Sequence, residues 1–349
     1  MPELVVIAEQ LLAPVPGGTG RYTAELLPAL VATAPPGWTV STVTARHPAG
    51  LPGARMLPLP PRALIAAWQL GLPWWPGGDA VHAPTPLAPP RVPKGRTLSV
   101  TVHDTVPWTH PETLTARGVR WHRTVIGRAA SRATGLVVPT RAVADDLVER
   151  VRLRAPVTVA AHGVAEVFTR DDLPDVDVPP RYVLAVGTIE PRKGIDVLIA
   201  AMERVGVPLV LAGQPGWGGL DPVALAGDRV DVRVLGRLDD VSLAAVVRRA
   251  SVLAAPSRAE GFGLPVLEAM AAGVPVVHSD APALAEVAGG AGVQVPRGDA
   301  EALAAALNGV LSGPERAADL VSLGRARAAE FSWERAAEAV WAVHEDATS

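Results

Sequence analysis

The chain has 349 residues, 49% hydrophobic and 19% charged, with a formal net charge of −3 and no cysteine. That length predicts about two globular domains, each able to bury a core without staples. The charge argues against a polybasic partner of nucleic acid, and the missing cysteine excludes disulfides, thiolate metal sites and cysteine nucleophiles together.

Short apolar runs alternate with helical stretches, the pattern of parallel sheets covered by helices. The opening segment lacks the basic n-region of a signal peptide and reads as a first strand, residues 4–8. Further strands are expected at 39–44, 80–82, 97–102, 135–138 and 157–160, with helices at 20–32, 62–70, 114–133 and 142–152. The proline-rich stretch 48–93 is poorly periodic. Residues 170–180 (RDDLPDVDVPP) are acidic and end in paired prolines, which disfavour regular structure, so the domain boundary is placed there. The second half predicts strands at 182–186, 209–212, 232–235, 251–254, 275–278 and 292–295. Helices are expected at 194–205, 222–226, 240–250, 265–272, 283–288 and 300–311, then two closing helices at 316–330 and 332–346. No apolar run reaches the roughly 18 residues of a membrane span.

Doubly wound sheets bind ligands beyond the C-terminal ends of their strands, where helix N-termini also point. The loops expected there carry the polar residues. Pro16-Gly17-Gly18-Thr19-Gly20-Arg21-Tyr22 opens a helix, and its glycines can bring backbone N–H groups to an anion; a plain tight turn is the alternative. His103-Asp104 follows an apolar strand, as a site pair or a buried structural pair. Arg192 and Lys193, in GTIEPRKG, sit before a helix whose dipole they oppose, which a diphosphate would offset; a solvated basic turn is the other reading. In AEGFGLPVLE, Glu260 ends a loop, Gly261 and Gly263 leave backbone N–H groups uncovered, and Pro265 suits a first helical turn. Glu268, placed in that turn, can accept hydrogen bonds from a ribose diol, or can simply compensate the dipole. Asp175-Val176-Asp177 has the D-x-D spacing of a metal site but lies in the linker with no strand to deliver it. Arg117, Arg120, Arg123, Arg128 and Arg132 make the helix at 114–133 basic, as a solvated face or a contact to an anionic membrane.

Three of these motifs in order carry a resemblance. Gly17-Gly18-Thr19-Gly20-Arg21 matches an N-terminal glycine loop, Glu190-Pro191-Arg192-Lys193-Gly194 an E-P-R-K-G turn, and Glu260 with Glu268 an E-x7-E motif. Over nearly all its length the chain resembles the retaining GT-B glycosyltransferases of family 4. The resemblance implies an α/β fold of two doubly wound Rossmann-like domains facing a central cleft. Residues 1–172 would bind the acceptor and 180–330 the nucleotide-sugar donor, with a helix at 331–349 crossing back to the first domain. It implies that Glu260, Lys193, Arg192 and His103 are catalytic. Gly17, Gly18, Thr188, Leu238, Gly261, Phe262, Gly263, Leu264 and Glu268 would bind the donor, with Asp104, Arg237 and Asp239 as further candidates. Many relatives have Gly-Arg where this chain has Gly187-Thr188, so Arg192 and Lys193 would carry the phosphate charge alone.

HDTVPW, HPE, GTIEPRKG and LAGQPGWGG are similar to a mannosyltransferase-like subgroup, which makes GDP-mannose the first donor to consider and a UDP-sugar or other NDP-sugar the alternative. No metal or other cofactor is expected, nor any nucleic acid. The acceptor would be a glycan or lipid-linked, at a cytoplasmic location with peripheral contact to the inner face of the membrane. A GT-B-fold nucleotide-sugar epimerase and a non-catalytic sugar-nucleotide binder are the competing classes. A nicotinamide oxidoreductase is disfavoured by the missing G-x-G-x-x-G. Acceptor and oligomeric state are not legible.

Overall fold

The computed structural model describes residues 1–13, 17–216 and 218–345. Two compact units divide the chain. Met1–Pro111, Thr115–Gly163 and the chain from Ser332 form the first, and Glu112–Leu114 with Val164–Phe331 the second.

The first unit holds strands β1 (Glu3–Ile7), β2 (Thr39–Thr44), β3 (Arg55–Met56), β4 (Ala80–Ala83), β5 (Thr97–Thr101), β6 (Gly135–Val138) and β7 (Val157–Val159). They form one parallel sheet in the order β3-β2-β1-β4-β5-β6-β7. Helices α1 (Gly17–Ala32), α2 (Pro61–Gln69), α3 (Val106–Thr109), α4 (Ala116–Arg132) and α5 (Arg141–Arg150) connect them. Leu4, Val5 and Val6 are consecutive and all buried, because a parallel sheet covered on both faces needs continuous apolar strands rather than alternating ones.

In the second unit, strands β8 (Val183–Val186), β9 (Leu209–Ala212), β10 (Val232–Gly236), β11 (Val252–Ala255), β12 (Val276–Ser279) and β13 (Val293–Val295) alternate with helices. The helices are α6 (Ile195–Met202), α7 (Pro222–Ala226), α8 (Asp240–Arg249), α9 (Leu264–Ala271), α10 (Pro282–Ala288) and α11 (Ala300–Ser312), and α12 (Pro314–Ala328) closes the unit. The parallel order is β10-β9-β8-β11-β12-β13. It reverses direction between β8 and β11, and that switch point is where such sheets open a crevice.

The boundary expected at 170–180 is corrected: the chain divides at Gly163–Val164, and the acidic linker belongs to the second unit. Phe168 is fully buried, Arg248 bonds the Arg170 carbonyl and the Asp171 carboxylate, and Arg249 binds Asp175. Paired prolines disfavour regular structure but not packing.

The last helix, α13 (Trp333–Glu345), belongs to the first unit. Gly135 admits it, since a Cβ there would meet Val343 Cγ1 at 2.5 Å. Trp341 Nε1 donates to the Leu30 carbonyl at 3.2 Å, and the His344 ring hydrogen-bonds Thr97 Oγ1 at 2.7 Å and Ser99 Oγ at 2.8 Å. Asp346, expected at its end, lies outside the described residues.

Candidate functional site

The loops leaving β8 and β11 meet in one pocket of the second unit, lined by Gly187, Thr188, Lys193, Ser257, Glu260 and Gly263 among others. These neighbouring strands pair Val183 with Val252 and Leu184 with Leu253, so their C-terminal ends deliver both motifs to one place.

Arg192 and Lys193 lie just before α6, as expected. They form a separate 3-10 turn, Pro191–Lys193, which Gly194 ends in the left-handed region at φ 67°. A Cβ on Gly194 would strike the Pro256 carbonyl oxygen, so only glycine lets this turn sit against the β11 loop. The turn therefore aims the two cations while leaving them at the N-terminal end of α6, whose dipole they oppose. The Lys193 stem passes Gly187, where an added Cβ would lie 3.3 Å from Lys193 Cε.

Glu260 gathers the charges. Lys193 Nζ donates to its Oε1 at 2.6 Å, Ser257 Oγ donates to the same oxygen at 2.7 Å, and Arg192 Nη1 reaches its Oε2 at 3.3 Å. Burial alone, the largest single effect, would raise this carboxyl. Lys193 and then Arg192, with the hydrogen bonds from Lys193 and Ser257, together outweigh it and hold the pKa at about 2. Arg192 also donates to Glu190 Oε1 at 2.6 Å and to the Ala259 carbonyl at 2.8 Å. Two carboxylates thus face two cations. Glu190 stands inside the E-P-R-K-G turn and Ser257 two residues before AEGFGLPVLE, yet neither was among the expected site residues. Spacing gave no reason to choose them, because their role depends on contact across two loops.

Helix α9 starts at Leu264 rather than Pro265. Glu268 is consequently its fifth residue, past the first turn, and is buried. Gly263 precedes the helix at φ 98°, and a Cβ there would run into Leu284. Leu264 and Phe262 are buried; the Phe262 ring meets Phe331 edge-on at 5.9 Å, so its side chain belongs to the core and any ligand contact at this residue falls to the backbone. Gly261 is half-buried beside Glu260.

Arg237, Leu238 and Asp239 follow β10. Asp239 caps α8, accepting from Ser242 N and Ser242 Oγ at 2.9 Å each; these bonds hold its carboxyl below the usual range. Arg237 is exposed and Leu238 half-buried. In the D-x-D segment, Asp175 is bound by Arg249. Among the described residues no group of three or more His, Cys, Asp or Glu side chains could hold a metal ion.

Gly17, Gly18, His103 and Asp104 lie in the first unit. The two glycines form the first turn of α1 rather than a loop before it; they are exposed, and a Cβ on either would meet nothing within 4 Å. Pro16 and Trp217, in the glycine loop and LAGQPGWGG, lie outside the described residues. His103 Nε2 donates to the Pro84 carbonyl at 2.7 Å, which fixes its tautomer, and burial pushes its pKa down. The Tyr22 ring stands edge-on to it at 4.8 Å. Asp104 Oδ1 accepts from Val106 N at 3.1 Å.

The basic face of α4 is partly consumed by its own unit. Arg123 donates to the Pro107 carbonyl, Arg128 to that of Gln69 and Arg132 to that of Pro90, at 2.9, 2.6 and 2.9 Å. Arg117 and Arg120 stay exposed. No helix among the described residues is long and apolar enough to cross a membrane.

Residues 180–313 match the family described as "Glycosyl transferases group 1". The chain is 36% identical over 162 residues to an O-antigen chain mannosyltransferase B of Escherichia coli, covering 44% of this chain and 42% of that one. It is 32% identical over 239 residues to a phosphatidyl-myo-inositol mannosyltransferase of Mycolicibacterium smegmatis, covering 64% and 58%. The chain spans about half the length of these curated relatives. The fold is similar to that of a sucrose-phosphate synthase from Thermosynechococcus elongatus, with a TM-score of 0.79 at 24% identity over 99% of both chains.

Proposed function

We propose that the chain, whose residues 180–313 match the group 1 glycosyltransferases and which has the GT-B fold, is a retaining hexosyltransferase. Its donor is a nucleotide diphosphate sugar, with GDP-mannose first and a UDP-sugar second, and its acceptor is a hydroxyl of a glycan or lipid-linked molecule. The observation that carries this reading is the convergence of Lys193 and Arg192 on Glu260 in the pocket at the β8–β11 switch point. The mannosyltransferase names of the two relatives favour mannose.

In the reaction, the bond from the sugar C1 to the diphosphate oxygen breaks, and the acceptor oxygen bonds to C1 on the same face. The acceptor proton ends on the released diphosphate. Negative charge grows on the leaving oxygen, and fixed cations stabilise it most in a site that excludes water. The Lys193 ammonium has three donors, one directed at Glu260, and the others are suited to phosphate oxygens. Glu260 orients the hexose through its hydroxyls, and Glu268 holds the ribose. Thr188 and the segment Gly261, Phe262, Gly263 and Leu264 add backbone N–H groups toward the diphosphate, while Arg237, Leu238 and Asp239 border the base. No metal is required where two cations take its place. Location at the inner face of a membrane, by peripheral contact through Arg117 and Arg120, belongs to the same proposal.

A donor screen tests it. GDP-mannose, GDP-glucose, UDP-glucose and UDP-N-acetylglucosamine are each incubated with the protein, and slow release of free hexose with nucleoside diphosphate is scored. Release from one donor supports a transferase. Conversion of a donor into a different intact nucleotide sugar identifies an epimerase instead, and binding without turnover of any donor identifies a non-catalytic binder.

A further inference from the structure

The two loops of the site are strapped together by a residue that does not line the pocket. Arg258 donates through Nη1 to the Pro191 carbonyl at 2.5 Å and to Asp196 Oδ1 at 2.9 Å, and through Nη2 to Asp196 Oδ2 at 2.6 Å. Its backbone N–H donates to the Arg192 carbonyl at 2.8 Å. In the opposite direction, Arg192 donates to the Ala259 carbonyl at 2.8 Å and reaches Glu260. Each loop therefore grips the other through both backbone and side chain.

Resting on the function proposed above, we propose that Arg258 is a positioning residue which, anchored by Asp196, holds the Arg192–Lys193 turn in register with the loop carrying Glu260. Three facts make the strap specific. Asp196 is in the first turn of α6, so the anchor belongs to a helix rather than to either loop. The guanidinium serves three acceptors at once in a rigid planar fork, a geometry that the tetrahedral donors of an ammonium do not reproduce. Gly194 brings the turn so close to the Pro256 carbonyl that only glycine fits there, so the strap acts between two loops already in close approach. The pair is also partly exposed, at 35% for the Arg258 side chain and 41% for Asp196. An exposed ion pair adds little to global stability, so the main consequence of this one is geometric. Lys193 and Glu260 meet at 2.6 Å only while the two loops keep this offset.

The experiment has two arms on the intact protein, using Arg258→Ala, Arg258→Lys and Asp196→Ala. In the first, amide hydrogen exchange is followed across the whole chain. The strap predicts that Arg258→Ala speeds exchange in residues 190–194 and 256–261 together, by on the order of tenfold, while the remaining core is unchanged. Faster exchange in 256–261 alone overturns the inference, as does no change. In the second arm, kcat and donor KM are measured well below each variant's melting temperature. The expected result is a kcat lower by roughly tenfold to a hundredfold in Arg258→Ala and Asp196→Ala, as for a small misplacement of reacting groups, with donor KM changed much less. Arg258→Lys recovers only part of it. An unchanged kcat with only a lower melting temperature shows an ordinary structural ion pair and overturns the positioning role. If the wild-type protein transfers sugar from no donor, the proposed function fails, while the exchange arm still decides whether the strap exists.

Discussion

Lys193 Nζ lies 2.6 Å from Glu260 Oε1, across 67 residues of sequence, and both side chains are largely buried at 16% and 11% exposure. A buried cation is tolerated where a carboxylate answers it, and a buried carboxylate where a cation does, so each residue is the condition for the other.

Lys193→Ala is expected to lose on the order of a hundred- to a thousandfold in kcat, about 3–4 kcal/mol, as for removing one preorganised donor from a developing anion. Lys193→Arg keeps the charge but widens the head group beside Arg192, and its stem must still pass Gly187. We expect it to lose much of the activity. Steady-state kinetics on both variants check this, and near wild-type kcat for Lys193→Arg would show that only charge matters.

The two glutamates separate in kinetics. Glu260→Ala lowers kcat strongly, because its contacts orient the reacting centre. It also frees Lys193 and Arg192 from their shared carboxylate, so the affinity for nucleoside diphosphate holds or rises. Glu268→Ala raises donor KM instead. Calorimetric titration with the diphosphate alongside kcat distinguishes the pair, and equal kcat losses with unchanged KM in both would contradict the division.

Turnover is expected to survive excess EDTA. The expectation rests on the cation pair at Arg192 and Lys193 and on the occupation of Asp175 by Arg249. Complete loss restored by Mn²⁺ or Mg²⁺ would place a metal in the reaction.

The first unit should weaken as the solution becomes acidic. His82 and His344 are buried and joined through Ser99 Oγ, His82 Nδ1 at 2.8 Å and His344 Nε2 at 2.8 Å. Burial, the main cause, holds both near pKa 3, with His344 and His103 further depressing His82. Below about pH 6.5 the unfolded chain takes up protons that the folded one refuses, so stability is full above that pH and falls as pH drops toward 3. Glu260 works in a lower window: its depressed pKa contributes stability above about 4.5, lost as pH falls through about 2. Melting temperatures should decline from pH 7 to pH 5, and His344→Gln should flatten that decline. A flat wild-type profile would count against neutral burial of these rings.

Anionic vesicles should bind the protein at low salt and release it as salt rises, since exposed arginines act through screened charge. Arg117→Ala with Arg120→Ala should weaken the effect, because these two are exposed while Arg123, Arg128 and Arg132 are held against carbonyls of their own unit. Sedimentation with and without anionic lipid measures it; absence of binding at low salt would make α4 a solvated face.

Residue order alone was enough to place the alternation of strands and helices, because buried parallel strands must be continuously apolar and connecting helices must not. Residues 135–138 and 209–212 were legible to the residue for that reason. The loops that carry charge and glycine were legible in the same way. How those loops meet was settled by packing. Proline-rich residues 170–180 read as a linker because composition reports the lack of regular structure, whereas packing on α8 depends on Arg248 and Arg249 arriving from elsewhere. Gly194 showed its purpose only against Pro256, and Glu190 and Ser257 showed theirs only once Arg192 and Glu260 were brought within hydrogen-bond reach. A spacing within one loop is written in the chain, but a distance between two loops is set by the strand order that places β8 beside β11.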